Sequence, residues 1–99
     1  MQEGKVYQCI SGGANAKGHP TSNGGFLVWK GSVISSKVAP SFECASKTYY
    51  ALRNRLIKEG IIQDGVFQED YEFSSPTAAG AVTVGWSISG RAAWKPFNC

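Results

Sequence analysis

Hydrophobic and polar positions change period several times along this chain, and each change marks an element. Residues 5–11 (Lys-Val-Tyr-Gln-Cys-Ile-Ser) alternate, with Val6, Gln8 and Ile10 on one side and Tyr7 and Cys9 on the other. A period of two predicts a strand. Residues 12–25 contain five Gly, two Asn and one Pro, a composition that predicts a loop. Phe26-Leu27-Val28-Trp29 is a strand, Lys30-Gly31-Ser32 a tight turn and Val33-Ile34-Ser35-Ser36 the returning strand. This gives a hairpin, or three strands with the first.

The period then lengthens. Over residues 39–60, Ala45, Tyr49, Leu52 and Leu56 recur at spacings of four, three and four, the core stripe of a helix. Pro40 and Ser41 supply its start, with Ser41 as N-cap, and Gly60 its end. Tyr50, Arg53 and Ile57 flank the stripe, while Lys47, Asn54 and Lys58 project from the other side with Arg55 nearby. Residues 61–65 are a short apolar piece closed by an Asp64-Gly65 turn, and Tyr71-Glu72-Phe73 is a brief strand. Ser75 is a good N-cap and Pro76 fits the first helical position, so a short helix of small residues (Ala78-Ala79-Gly80-Ala81-Val82) starts there and ends near Gly85. Residues 86–95 read as a hairpin or as a turn plus a strand. The order β-β-β-α-β-α-β defines an α+β domain: a small mixed or antiparallel sheet with one long and one short helix.

Length limits this to one domain, residues 1–99. A chain of this size buries roughly 60–70% of its unfolded surface, enough for one small core. The longest apolar runs are far below the ~20 residues that span a bilayer. The first five residues put no apolar stretch behind a basic one, so no signal peptide is expected and the cytoplasm is the expected location.

Charge adds more. The net charge is +3, but Asp64, Glu69, Asp70 and Glu72 fall in one segment with no Lys or Arg. All ten basic residues lie outside it against three acids, so the rest of the chain carries +7. Such a body suits a polyanionic partner, or is simply a solvated surface. Cys9, Cys44 and Cys99 have no short pairwise spacing, so free thiols are expected and a zinc site is not. His19 is the one histidine, expected as an exposed loop residue with no spaced partner for nucleophilic catalysis. Glu69, Asp70 and Glu72 lack a calcium-loop pattern. Lys30-Gly31-Ser32 reverses the order of a phosphate loop. No catalytic residue, metal or cofactor is expected.

Aromatic residues beside basic ones are the remaining pattern. Trp29-Lys30 and Trp94-Lys95 each place an indole next to an ammonium. On a strand one member of each pair faces the core and the other faces out. Either both tryptophans are core, or one is exposed enough to stack on a base while Lys30, Arg91 and Lys95 hold phosphates.

Residues 24–95 resemble a known family, the domain of unknown function attached to the C-terminus of GIY-YIG-type nucleases and other restriction-related proteins. The resemblance lies in Gly25-Phe26-Leu27-Val28-Trp29-Lys30-Gly31-Ser32, in Arg53, Leu56 and Gly60, in Tyr71-Glu72-Phe73, in Ser75-Pro76-Thr77-Ala78-Ala79 and in Trp94-Lys95. The closing motif is also similar to the adenine-methylase-associated domain of restriction systems, with Ser89-Gly90 in place of the usual Asn-Gly. The resemblance implies an accessory role in a restriction, defence or DNA-modification setting. There is no Gly-Ile-Tyr or Tyr-Ile-Gly segment, so cleavage is not implied.

The expectation is therefore a non-catalytic module that binds nucleic acid, DNA in the first instance. Its candidate contacts are Lys30, Ser32, Arg53, Ser75, Arg91, Trp94 and Lys95, aided by the N-terminus of the Ser75-Pro76 helix. Lys47, Arg55 and Lys58 form a secondary basic face. The alternative is a protein-interaction module that docks a nuclease, a methylase or another protein through an apolar patch, without nucleic-acid affinity.

Overall fold

A computed structural model describes residues 5–11, 13–39, 42, 47–86 and 88–97. The predicted first strand is β1, Tyr7–Ser11, and its inward side chains are Tyr7 and Cys9. The Gly-rich segment is not a loop throughout. It forms β2, Ala14–Pro20, paired antiparallel to β1 with Ser11 opposite Ala14 and Gly13 between them at φ 97°. Ala14, Ala16, Gly18 and Pro20 face the core while Asn15, Lys17 and His19 face out. The strand alternates as any half-buried strand does, but its inward side chains are small. At Gly18 a Cβ would collide with the Leu27 carbonyl oxygen.

β3, Phe26–Val28, returns along β2. Residues 33–36, expected as its hairpin partner, are not a strand: Val33 makes only isolated bridges to Asn15 and Val66. Helix α1 is Lys47–Lys58, and the expected start at residues 40 and 41 and the stripe position Ala45 lie outside the described residues. β4, Ile62–Gln63, and β5, Val66–Phe67, make a hairpin whose turn residues Asp64 and Gly65 have φ of 54° and 76°. β6 is Tyr71–Phe73. Helix α2, Pro76–Val84, starts as predicted, with Ser75 Oγ accepting from the Ala78 amide and Pro76 in the first turn, and ends at Gly85 with φ 84°. Residues 86–95 are not a hairpin. Ser89 caps a one-turn helix α3, Gly90–Ala93, and β7, Lys95–Pro96, follows.

The five-stranded sheet runs β6-β3-β2-β1-β7, and all its pairings are antiparallel. The α+β class is thus the expected one, with the β4–β5 hairpin and α3 as additions. Helix α2 packs on β1, β2, β3 and β6 and also touches α1 and α3. Every residue from Ala78 to Val84 is buried. Only small side chains allow this: a Cβ on Gly80 would come 2.6 Å from the Ala93 Cβ of α3. Phe26, Phe73, Leu56 and Trp94 complete the core, with Phe26 stacked on Trp94 at 4.3 Å between ring centroids. No described helix is long and apolar enough to cross a membrane.

Two predictions follow from this packing. Gly80→Ala should destabilise the protein by about 1–3 kcal/mol in urea unfolding, because overpacking against Ala93 outweighs the gain in helix propensity. Burial raises the Cys9 pKa from 9.0 to about 11. The folded state therefore keeps this proton while the unfolded chain loses it. Stability is unaffected by this group below pH 9 and should fall as pH rises from 9 towards 11. Denaturant titrations of wild type and Cys9→Ala across that range should diverge in slope against pH.

Candidate nucleic-acid interface

One face of the sheet carries α2. The other is built from the alternate residues that point away from it, and its chemistry follows from the strand register. Lys95 on β7 lies opposite Gln8 on β1, and Gln8 lies opposite Lys17 on β2. Trp29, just past β3, donates its amide to the Lys17 carbonyl at 2.9 Å, which carries the row one strand further. A neighbouring row runs from Phe97, whose amide donates to the Val6 carbonyl, through His19 and Leu27 to Glu72. Lys17 links the rows, its Nζ 4.3 Å from the centroid of the Phe97 ring. Strands are spaced by about 4.8 Å, so the Lys95–Trp29 row crosses roughly 14 Å of sheet.

Trp29 is fixed on this face. Its Nε1–H donates to His19 Nδ1 at 2.9 Å, and the two rings meet edge to face at 5.9 Å. An indole N–H can only donate, so Nδ1 is the unprotonated nitrogen of His19. His19 is thus a half-buried strand residue, not the exposed loop residue expected. The turn after Trp29 closes with the Ser32 amide donating to the Trp29 carbonyl, and Gly31 supplies the φ of 89° that the turn requires. The Lys30 side chain projects from it into solvent, while the Lys30 amide donates to Asp70 Oδ1 at 2.7 Å. Between turn and strand lies a pocket of about 260 Å³ lined by Asn15, Lys17, Trp29, Lys30 and the Gly31–Val33 segment.

The expected contacts divide sharply. Lys30 and Lys95 are exposed and lie at or on this face. Ser32 does not present its hydroxyl: at 5% exposure its Oγ accepts from the Lys17 amide and donates to the Lys17 carbonyl, bracing β2 against the turn. Arg53 is also no surface contact. It is 5% exposed and donates from Nη1 to the Val82 carbonyl at 2.9 Å and from Nη2 to the Ser35 carbonyl at 2.7 Å. Burial lowers its pKa, yet a guanidinium remains cationic in proteins. Trp94, 2% exposed, is core, and its Nε1 donates to the Pro76 carbonyl. Ser75 uses its hydroxyl as the α2 cap.

Arg91 is exposed but elsewhere. It lines a separate cleft of about 560 Å³ with Thr21, Ser22, Thr77 and Ser89. Three of its hydroxyls are used locally: Ser89 Oγ takes the Ala92 amide, Thr77 Oγ1 the Gly90 amide and Thr21 Oγ1 the Gly25 amide. Lys47, Arg55 and Lys58 sit on α1, which packs on α2 and β4. Arg55 is engaged by Glu59 at 3.8 Å and by the Tyr71 hydroxyl. Sequence reasoning missed Lys17, Asn15 and the partnership of His19 with Trp29, because all three fall in the segment expected as a loop. The alternation of residues 14–20 was the available signal.

Fold and face together define an α+β domain with one helix-covered sheet surface and, among the described residues, one that no helix covers. The chain belongs to the family described as Domain of unknown function (DUF4357), whose model matches residues 7–98. Comparison with curated proteins and with solved structures gave no match.

The buried guanidinium gives a direct test. Arg53→Met should cost about 2–5 kcal/mol in unfolding experiments, since it removes the charged donors from two carbonyls in a dry interior. Arg53→Lys should recover only part of this, because an ammonium lacks the planar fork.

Proposed function

We propose that this domain is a non-catalytic module that binds nucleic acid, DNA in the first instance, through the open face of its sheet. The observation that carries the reading is the row Lys95–Gln8–Lys17–Trp29, with Lys30 beside it. Among the described residues the one ion pair is Arg55–Glu59, so Lys17, Lys30 and Lys95 have no carboxylate paired with them there. Lys30 shares its turn with the Asp70 carboxylate, which leaves Lys17 and Lys95 as the lysines free to attract phosphate and release counterions when they bind it. Glu72 lies at the β6 side of the same face, away from the β7 edge. Backbone charge is thereby directed towards β1, β2 and β7.

The restriction or DNA-modification setting belongs to this proposal, on the resemblance of residues 24–95. So does the view that the module assists another protein and does not cut. Its one histidine spends Nδ1 on Trp29. A docking role for a nuclease or methylase has one specific support, Ile10, which is 66% exposed on the same face.

Salt separates the two readings. In fluorescence anisotropy with labelled DNA, affinity should fall steeply as salt rises, and Lys17→Ala and Lys95→Ala should each weaken it and reduce the slope of log K against log[salt] by about one. Lys47→Ala and Lys58→Ala, on α1, should leave it nearly unchanged. Absence of binding at low salt would sink the proposal and leave the Ile10 surface as the one to pursue.

A further inference from the structure

We infer that the pocket beside Trp29 receives one unpaired base, so that the ligand of the open face is a single strand; this rests on the nucleic-acid reading above. The pocket holds about 260 Å³ and is lined by Asn15, Lys17, Trp29 and Lys30. That is slightly below the ~300–1,000 Å³ of sites for drug-sized ligands, and suits a flat ring system better than a folded metabolite. Its wall is an indole held in place by His19 and therefore already ordered before any ligand arrives. Stacking on a fixed ring costs little side-chain entropy.

One ammonium stands at the pocket, that of Lys30, on a turn shared with the Asp70 carboxylate that takes the Lys30 amide. Lys17 also lines the pocket but carries its ammonium over Phe97, so a strand that leaves the pocket across the sheet meets this cation next. Asn15 supplies the edge contact. Its backbone amide and carbonyl are both used by Val33, which fixes the residue and leaves the side-chain amide facing solvent at the pocket. An amide of this kind can pair with a base edge through one donor and one acceptor. A second half-buried ring, Phe97, lies three strands away on the same face with the Lys17 ammonium over it. A duplex keeps its bases stacked inside and cannot use the indole, and a sheet face has no projecting helix or ribbon to enter its major groove.

The test compares four labelled oligonucleotides by anisotropy with the full chain: single-stranded DNA, single-stranded RNA, duplex DNA and an abasic strand of equal charge. Either single strand should bind more tightly than both duplex and abasic strand, and should quench tryptophan emission. Trp29→Leu should weaken single-strand binding about 5- to 100-fold while leaving the abasic strand unaffected. Trp29→Phe keeps a stacking ring and should retain most of the affinity. Asn15→Ala should change the preference among homopolymers and not the salt slope. Thermal melts of each variant show whether it is folded. If abasic and normal strands bind equally, or if duplex binds as tightly as single strand, the base pocket is refuted while the basic face stands. If no oligonucleotide binds, both fall.

Discussion

A helix buried on every side must end somewhere, and the C-terminus of α2 ends inside the protein. Its last carbonyls have no partner within the helix and cannot reach water. Three donors solve this. The Gly85 amide takes the Ala81 carbonyl, the Ser35 amide takes that of Thr83, and Arg53 reaches from α1 to take that of Val82. The cation also suits the negative end of the helix dipole. By binding the Ser35 carbonyl as well, Arg53 fastens three segments that are distant in sequence. Without a charged donor of this length, α2 could not lie so deep.

The depth of α2 shapes the sheet above it. Ala14, Ala16 and Gly18 present almost no side chain on the inner surface of β2, so helix and strand approach closely. The large core residues then come from the flanking elements, Tyr7 on β1, Phe26 on β3, Phe73 on β6 and Trp94 before β7. Because the described helices that touch the sheet, α2 and α3, pack together on one side, the residues of the other side are released from packing against them. Lys17, Asn15 and His19 occupy positions where the core makes no demand. Side chains on this face can thus vary with little cost to the core, and the tryptophan that stays on it is held by a histidine.

Where hydrophobic amplitude was large, the sequence was easy to read. Alternation in residues 5–11, the cap at Ser75-Pro76, Gly85 and the Asp64-Gly65 turn all correspond to observed features. β2 was hidden because its inward residues are Ala, Gly and Pro, so a period of two existed with no apolar signal, and the glycines read as breakers. Arg53 was hidden by its charge, although it stands four residues after Tyr49 and three before Leu56, on the buried side of α1. Carbonyls that need a donor are a tertiary fact and leave no local trace. The cationic row was illegible for a similar reason: its members come from β1, β2, β7 and the end of β3, and only register aligns them. Lys30 and Lys95 could be named from their indole neighbours, but Lys17 could not.

The position of β7 has a kinetic consequence. Lys95 lies on the last described strand and pairs with the first. Most of the described sequence separates the two, and such non-local closure is slow. The cationic row is complete only once β7 has joined β1: before that non-local pairing forms, β1 and β2 can align Gln8 with Lys17, but Lys95 is not yet beside them.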